Sequence, residues 1–162
     1  MDLLKINKEA EKADNDDLMD MLEVGLIENF ETIEAPIRHF FTDGIYAREM
    51  SAPAGAKIVS LTHKTSHFFI LSKGKIAVWI NGEEAVIEAP FIGITKSGTR
   101  RAGRVIEDVV WTTFHVTDIK PNSDSEEDID AAVDLIGEEI IDWRENKILG
   151  AIIKNNIVNK LI

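Results

Sequence analysis

Between residues 38 and 117 the apolar positions fall in short runs, each closed by a cluster of glycine, proline, asparagine, aspartate or serine. Runs of that length with those boundaries read as β-strands rather than helices. Segments 38–41 and 45–50 flank the turn Thr42-Asp43-Gly44, and Pro53-Ala54-Gly55 precedes 57–62. Segments 67–71 and 75–80 flank Ser72-Lys73-Gly74, and Asn81-Gly82 leads into 84–88. That Asn-Gly pair is the strongest hairpin signal in the chain, because both central positions of a type I′ turn need positive φ. Ala89-Pro90 restricts the following strand to an edge or a strand start, since proline cannot donate to a ladder. Segment 91–95, the turn Ser97-Gly98, segment 100–106, the turn Glu107-Asp108 and segment 109–117 complete a meander. About eight short strands with connections too short for crossover helices predict a β-sandwich or barrel.

The period changes at both ends. In 16–30, Leu18, Met19, Met21, Leu22, Leu26 and Ile27 recur at helical spacing, with Asp16 or Asp17 as a cap and Gly25 as a weak point. Pro36 ends that pattern by disfavouring helical geometry at Ala35. After Pro121, Asn122-Ser123-Asp124 with Glu126 and Glu127 forms a helix start whose acid suits the positive end of the helix dipole. Ile129, Val133, Ile136, Ile140 and Trp143 continue it, and a last apolar stripe runs from Ile148 to Ile162 as a second helix or a tail. The organisation expected is an acidic helical extension over 1–34, a barrel over 35–119 and helices over 120–162.

Composition narrows the chemistry. The 162 residues carry a formal net charge of −11, concentrated in the two flanks, whereas the centre is near neutral and holds Arg100, Arg101 and Arg104. Phosphate-backbone affinity comes from basic patches, so nucleic acid is not an expected partner. No apolar run reaches the roughly 20 residues of a membrane span, and the N-terminus does not read as a signal peptide. With no cysteine, thiolate metal sites and cysteine nucleophiles are excluded together.

Three of the four histidines, His63, His67 and His115, lie in the strand-rich stretch. Neutral imidazole is the commonest metal ligand, and three with an open position make a catalytic-type site. Along one straight strand His63 and His67 would stand roughly 13 Å apart, too far to share an ion. To share one, the chain has to bend between them, for which Lys64-Thr65-Ser66 is polar enough, and His115, on one face with Trp111 and Thr113, is the candidate third ligand; the geometry permits such a site without demanding it. The competing reading is three imidazoles on half-buried strands, each satisfied by a backbone carbonyl or carboxylate. His39 lies outside the stretch and reads as structural.

Pro53-Ala54-Gly55, His63-x-x-x-His67, Gly74 and a late strand ending in histidine resemble a compact cupin, a small jelly-roll barrel. The series His63…His67, Ala89-Pro90, Gly98-Thr99, Glu107-Asp108 and Trp111-Thr112-Thr113-x-His115 is similar to a family of small proteins of tailed bacteriophages, over about residues 36–118. The resemblance implies a mainly β, cupin-like jelly-roll barrel with N-terminal and C-terminal helical extensions. It also implies a divalent ion (zinc, iron, manganese or nickel) on His63, His67 and His115, in a host cytoplasm or a virion. The chain departs from the cupin pattern where His67 takes roughly the place of the usual glutamate and Arg101 falls near that of the second-motif histidine.

Other function classes stay open. Phe68-Phe69-Ile70-Leu71-x-x-Gly74 and Phe91-Ile92-Gly93 followed by Arg101-Ala102 are similar to cyclic-nucleotide-binding barrels. Ile94, however, stands where the ribose-binding glutamate is expected, and Arg100, Arg101 and Arg104 on alternating positions would solvate one face. A metal-dependent enzyme would add a carboxylate, for which Glu49, Glu107 and Asp108 are candidates. An accessory or structural protein would use the apolar stripes of its helices to form a dimer or to hold another phage or host protein. The accessory role is the expectation carried forward, with catalysis less favoured.

Overall fold

The computed structural model describes Met19, Met21, Leu22, Gly25, residues 35–80 and residues 83–142. Those first four are helical, and Met19 is fully buried. The rest of the expected 16–30 helix, the Asn81-Gly82 turn and the apolar stripe from Ile148 lie outside the described residues.

Seven antiparallel strands form one sheet: β1 (Ile37–Thr42), β2 (Ile45–Ala52), β3 (Lys57–Val59), β4 (His67–Ile80), β5 (Glu83–Glu88), β6 (Phe91–Thr95) and β7 (Ala102–Val116). Its main path runs β1-β2-β7-β4-β5, with β3 beside β7 and β6 beside β4. The mostly β fold class predicted from the strand pattern is therefore observed. β1 and β2 close as a two-residue hairpin in which Gly44 takes φ 76°.

The predicted meander is corrected in one respect. Ser72-Lys73-Gly74 and Glu107-Asp108 are not hairpin turns, and the segments around each join into single long strands. β4 and β7 pair along most of their length, with register shifts between Leu71 and Ile76. Turn-type residues serve here as bulges, which bend a strand without ending it. At this bend Gly74 takes φ 82°, and a Cβ there would lie 2.1 Å from the Asp108 carbonyl oxygen. The bent pair is a spine shared by two half-sheets. One half adds β1, β2 and β6, and the other adds β3 and β5.

Register then sorts the interior by rows. Tyr46 stands opposite His115; Arg48, Thr113 and Phe69 form the next row, and Met50, Trp111 and Leu71 the one after. From Leu71 onward an apolar cluster fills the interior, with Ala52, Ala56, Leu71, Ile76, Val78, Val105 and Val109 buried together.

The helix α1 (Glu126–Ile140) begins at Ser125, whose side chain accepts from the Asp128 N–H, with Glu126, Glu127 and Asp128 in its first turn. Its buried Val133, Ile136 and Ile140 join Tyr46 and Ile141, with Phe41, Leu61 and Ile119 at the edge. The amphipathic stripe thus covers the histidine end of the barrel. α1 has no basic residue in its last turn. Lys64 supplies the missing cation from the loop, its Nζ donating to the Glu138 carbonyl at 3.0 Å and its backbone N–H to that of Ile140 at 2.8 Å.

Candidate metal centre

Three elements bring the histidines together. His67 opens β4, His115 lies near the end of β7 on the adjoining strand, and His63 sits off the sheet in a bridge to Ile141. Residues 64–66 make the bend that the spacing requires. Hydrogen bonds from Gly98 N–H to the His63 carbonyl at 3.0 Å and from Ser97 N–H to Ser66 Oγ at 3.0 Å fix that bend.

Ring centroids are 4.6 Å apart for His63 and His67, 4.4 Å for His67 and His115, and 5.2 Å for His63 and His115. One nitrogen from each ring can be chosen so that all lie within 4.8 Å of one another. Nitrogens bound at about 2.1 Å to one tetrahedral ion stand about 3.4 Å apart, so ring rotations of the order of an ångström close the set.

The hydrogen bonds assign the donor atoms. His115 Nε2 lies 3.1 Å from Thr113 Oγ1, while its Nδ1 is buried without a partner. His63 Nδ1 is likewise buried and unpaired. His67 holds the Thr65 carbonyl through Nδ1 at a long 3.5 Å, which frees Nε2. Buried polar atoms normally find partners, and a metal-bound imidazole normally gives its other nitrogen to a hydroxyl or carbonyl. The two orphaned nitrogens and the outer partners Thr113 and Thr65 are therefore what a divalent ion would require.

Electrostatics agree. Burial, then the facing His67, pushes His63 down to about 4. Burial and then His67 and His63 push His115 down to about 3, and burial lowers His67 as well. All three are neutral at pH 7, the form that binds metal.

The other sequence candidates lie elsewhere. Glu49 faces outward and takes Arg38 Nε at 2.8 Å, Glu107 pairs with Lys75 at 3.6 Å, and Asp108 accepts from the Ala54 N–H. His39, read as structural, holds the Tyr46 hydroxyl at 2.8 Å. The expectation that Arg100, Arg101 and Arg104 solvate one face is overturned. Arg104 is exposed, but Arg100 is buried and Arg101 lies over Phe69 and Trp111, 5.4 and 6.0 Å from their ring centres. Arg48 is a site residue that sequence reasoning missed. Its alternation with Tyr46 places it inside, but only pairing with β7 shows which β2 face is inner.

No protein-family model and no curated protein matches the sequence. The chain is similar to solved cupin domains. One is the cupin domain of Schizosaccharomyces pombe Cnp3, at 22% identity over 56% of this chain and 66% of that one, with a TM-score of 0.46. Another is a cupin-2 domain protein of Shewanella frigidimarina, at 9% identity over 54% of this chain and 85% of that one, with a TM-score of 0.45. A third is a Klebsiella pneumoniae protein with a double-stranded β-helix domain, at 17% identity over 54% of this chain and 81% of that one, with a TM-score of 0.47.

Proposed function

We propose that this is a cupin-type metal protein that holds one divalent ion on His63, His67 and His115. The observation that carries the reading is the buried, unpaired Nδ1 of His63 and of His115, in rings whose centroids lie 4.6 and 4.4 Å from that of His67. Three neutral protein ligands leave the ion's charge uncompensated and its remaining positions open to a ligand. Such an ion supplies Lewis acidity, while the histidines orient it and α1 covers that end of the barrel.

The role proposed is accessory rather than catalytic, since no described carboxylate sits in the histidine cluster to move protons. Its phage setting, in the virion or against a host protein, rests on the sequence resemblance alone. The dimer belongs to the same proposal, with Phe68, Ile92, Ile94 and Val116 as exposed apolar surface, and light scattering tests it. Among the described residues no helix is long and apolar enough to cross a membrane.

Elemental analysis of untagged protein, beside a variant with all three histidines changed to alanine, tests the metal. Near-stoichiometric metal in the parent and none in the variant is the expected result. Equal, negligible metal in both would refute it.

A further inference from the structure

One outer face of the sheet is apolar and open. On the outward side of the half that carries His67 and His115, Ile94, Phe68, Phe114, Ala47 and Phe40 stand in one row across β6, β4, β7, β2 and β1. Ile92 lies in the row on one side of it, and Val116 beside Ile45 in the row on the other. Phe68 is 54% exposed, Ile94 59%, Ile92 64% and Val116 85%. The charged side chains in these rows, Arg38 and Glu49, pair with each other at 2.8 Å. Contiguous apolar surface of this kind marks a contact site rather than a solvated face.

A second copy held sheet to sheet falls short on two counts. Phe40, Ile45, Phe68, Ile92, Ile94 and Val116 together offer about 500 Å², at roughly 150 Å² for a fully exposed large side chain, against about 800 Å² per partner in a standard interface. Two chains of net charge −11 also repel each other. Residues 148–162 answer both counts. They carry four apolar pairs, from Ile148-Leu149 to Leu161-Ile162. From 143 onward the chain is basic, with Arg144, Lys147, Lys154 and Lys160 against the single acid Glu145. Its starting point is at the rim of the face. Asp142 N–H donates to the Thr62 carbonyl and Gly98 N–H to that of His63, both at 3.0 Å, so the chain leaves α1 beside the loop that follows β6. A helix over 148–162 would measure about 22 Å. That is close to the span of about 26 Å for the eight residues of β2.

We infer that this face receives residues 148–162 of a second copy, each protomer laying that segment along its partner's sheet. The apolar pairs of the segment cover Phe68, Ile92 and Ile94, and its lysines stand between two acidic bodies. Laid on its own sheet, the segment would use up the surface that holds the dimer. The inference rests on the dimer reading and is independent of the metal.

The test uses full chains. Since the sequence has no cysteine, Asn155→Cys gives a single site for a nitroxide spin label. Spin-labelled chain at natural isotope abundance is mixed with an equal amount of nitrogen-15-labelled parent, and light scattering gives the mass. Broadening in that mixture arises only between copies. A mass of two chains is expected, with the amide signals of Phe68, Ile92 and Ile94 losing about half their intensity, as random pairing in a twofold dimer dictates. Ile152→Glu and Ile94→Glu should each weaken the dimer about tenfold or more, as loss of a buried isoleucine does, with metal content unchanged. A dimer without that broadening, or one undiminished in well-folded variants, would overturn the inference and leave the dimer reading intact. A monomer would overturn both. Broadening seen only when spin label and nitrogen-15 share one chain would assign the face to the chain's own segment and overturn the inference.

Discussion

Leu71 and His67 share a strand and a face, yet they belong to opposite kinds of interior. Leu71 is fully enclosed in the apolar cluster with Ala52, Val105 and Val109. His67, four residues earlier, faces two other imidazoles, two of whose nitrogens have no partner. The apolar end gives stability because every atom has a neighbour of its own kind. The polar end withholds stability, since buried donors and acceptors left unpaired cost more than apolar replacements would. Difference in composition, on one continuous spine, separates the part that holds the fold from the part available for binding.

The sharpest way to break that contrast is to cut one side chain at each end. Leu71→Ala should cost about 2–5 kcal/mol in denaturant unfolding, the usual penalty for a core leucine. His115→Phe should leave metal-free stability unchanged or raise it, because it removes an orphaned polar group. A large loss from His115→Phe would mean that the histidine end is a structural core after all.

Metal should convert the weak end into a strong one. Divalent ion at about a hundred times its Kd stabilises by about 2.7 kcal/mol, read as a rise in the unfolding midpoint. The triple alanine variant should show no rise. A midpoint equally metal-sensitive in that variant would place the binding elsewhere.

Acid acts at the same end. Folded His115 and His63 titrate at about 3 and about 4, against an ordinary 6.5. Between those values the unfolded chain binds more protons, so stability is full above pH 6.5 and declines as pH falls toward 3. Thermal melts of metal-free protein should show this decline, and His115→Phe should flatten it. An identical slope in the variant would exclude His115 as a cause.

The smallest effect is expected where α1 begins. Ser125→Ala removes the cap on Asp128 N–H and should cost about 1 kcal/mol. Because α1 covers the histidine end, metal should restore part of that loss. No recovery would mean that helix and metal site are uncoupled.

Much of this was legible in the residues. Short apolar runs give the strands, and the distance argument at His63 and His67 requires the bend that residues 64–66 make. What the chain does not announce is non-local. Ser72-Lys73-Gly74 reads as a turn because bulges and turns draw on the same residue types. Only β7 lying alongside turns it into a bend in a longer strand. Arg101 reads as surface charge, and Arg48 goes unnoticed, because a sequence shows alternation without showing which phase faces inward.

The bridge between His63 and Ile141 also has a mechanical side. Lys64 N–H to Ile140 and Asp142 N–H to Thr62, at 2.8 and 3.0 Å, clip the exit of α1 to the loop that carries His63. A pull on the chain beyond Asp142 would therefore load His63 before it loaded the sheet. His67 and His115, anchored in β4 and β7, would stay in place. One of the three proposed ligands is thus held by the exit of α1, while the other two are held by the sheet.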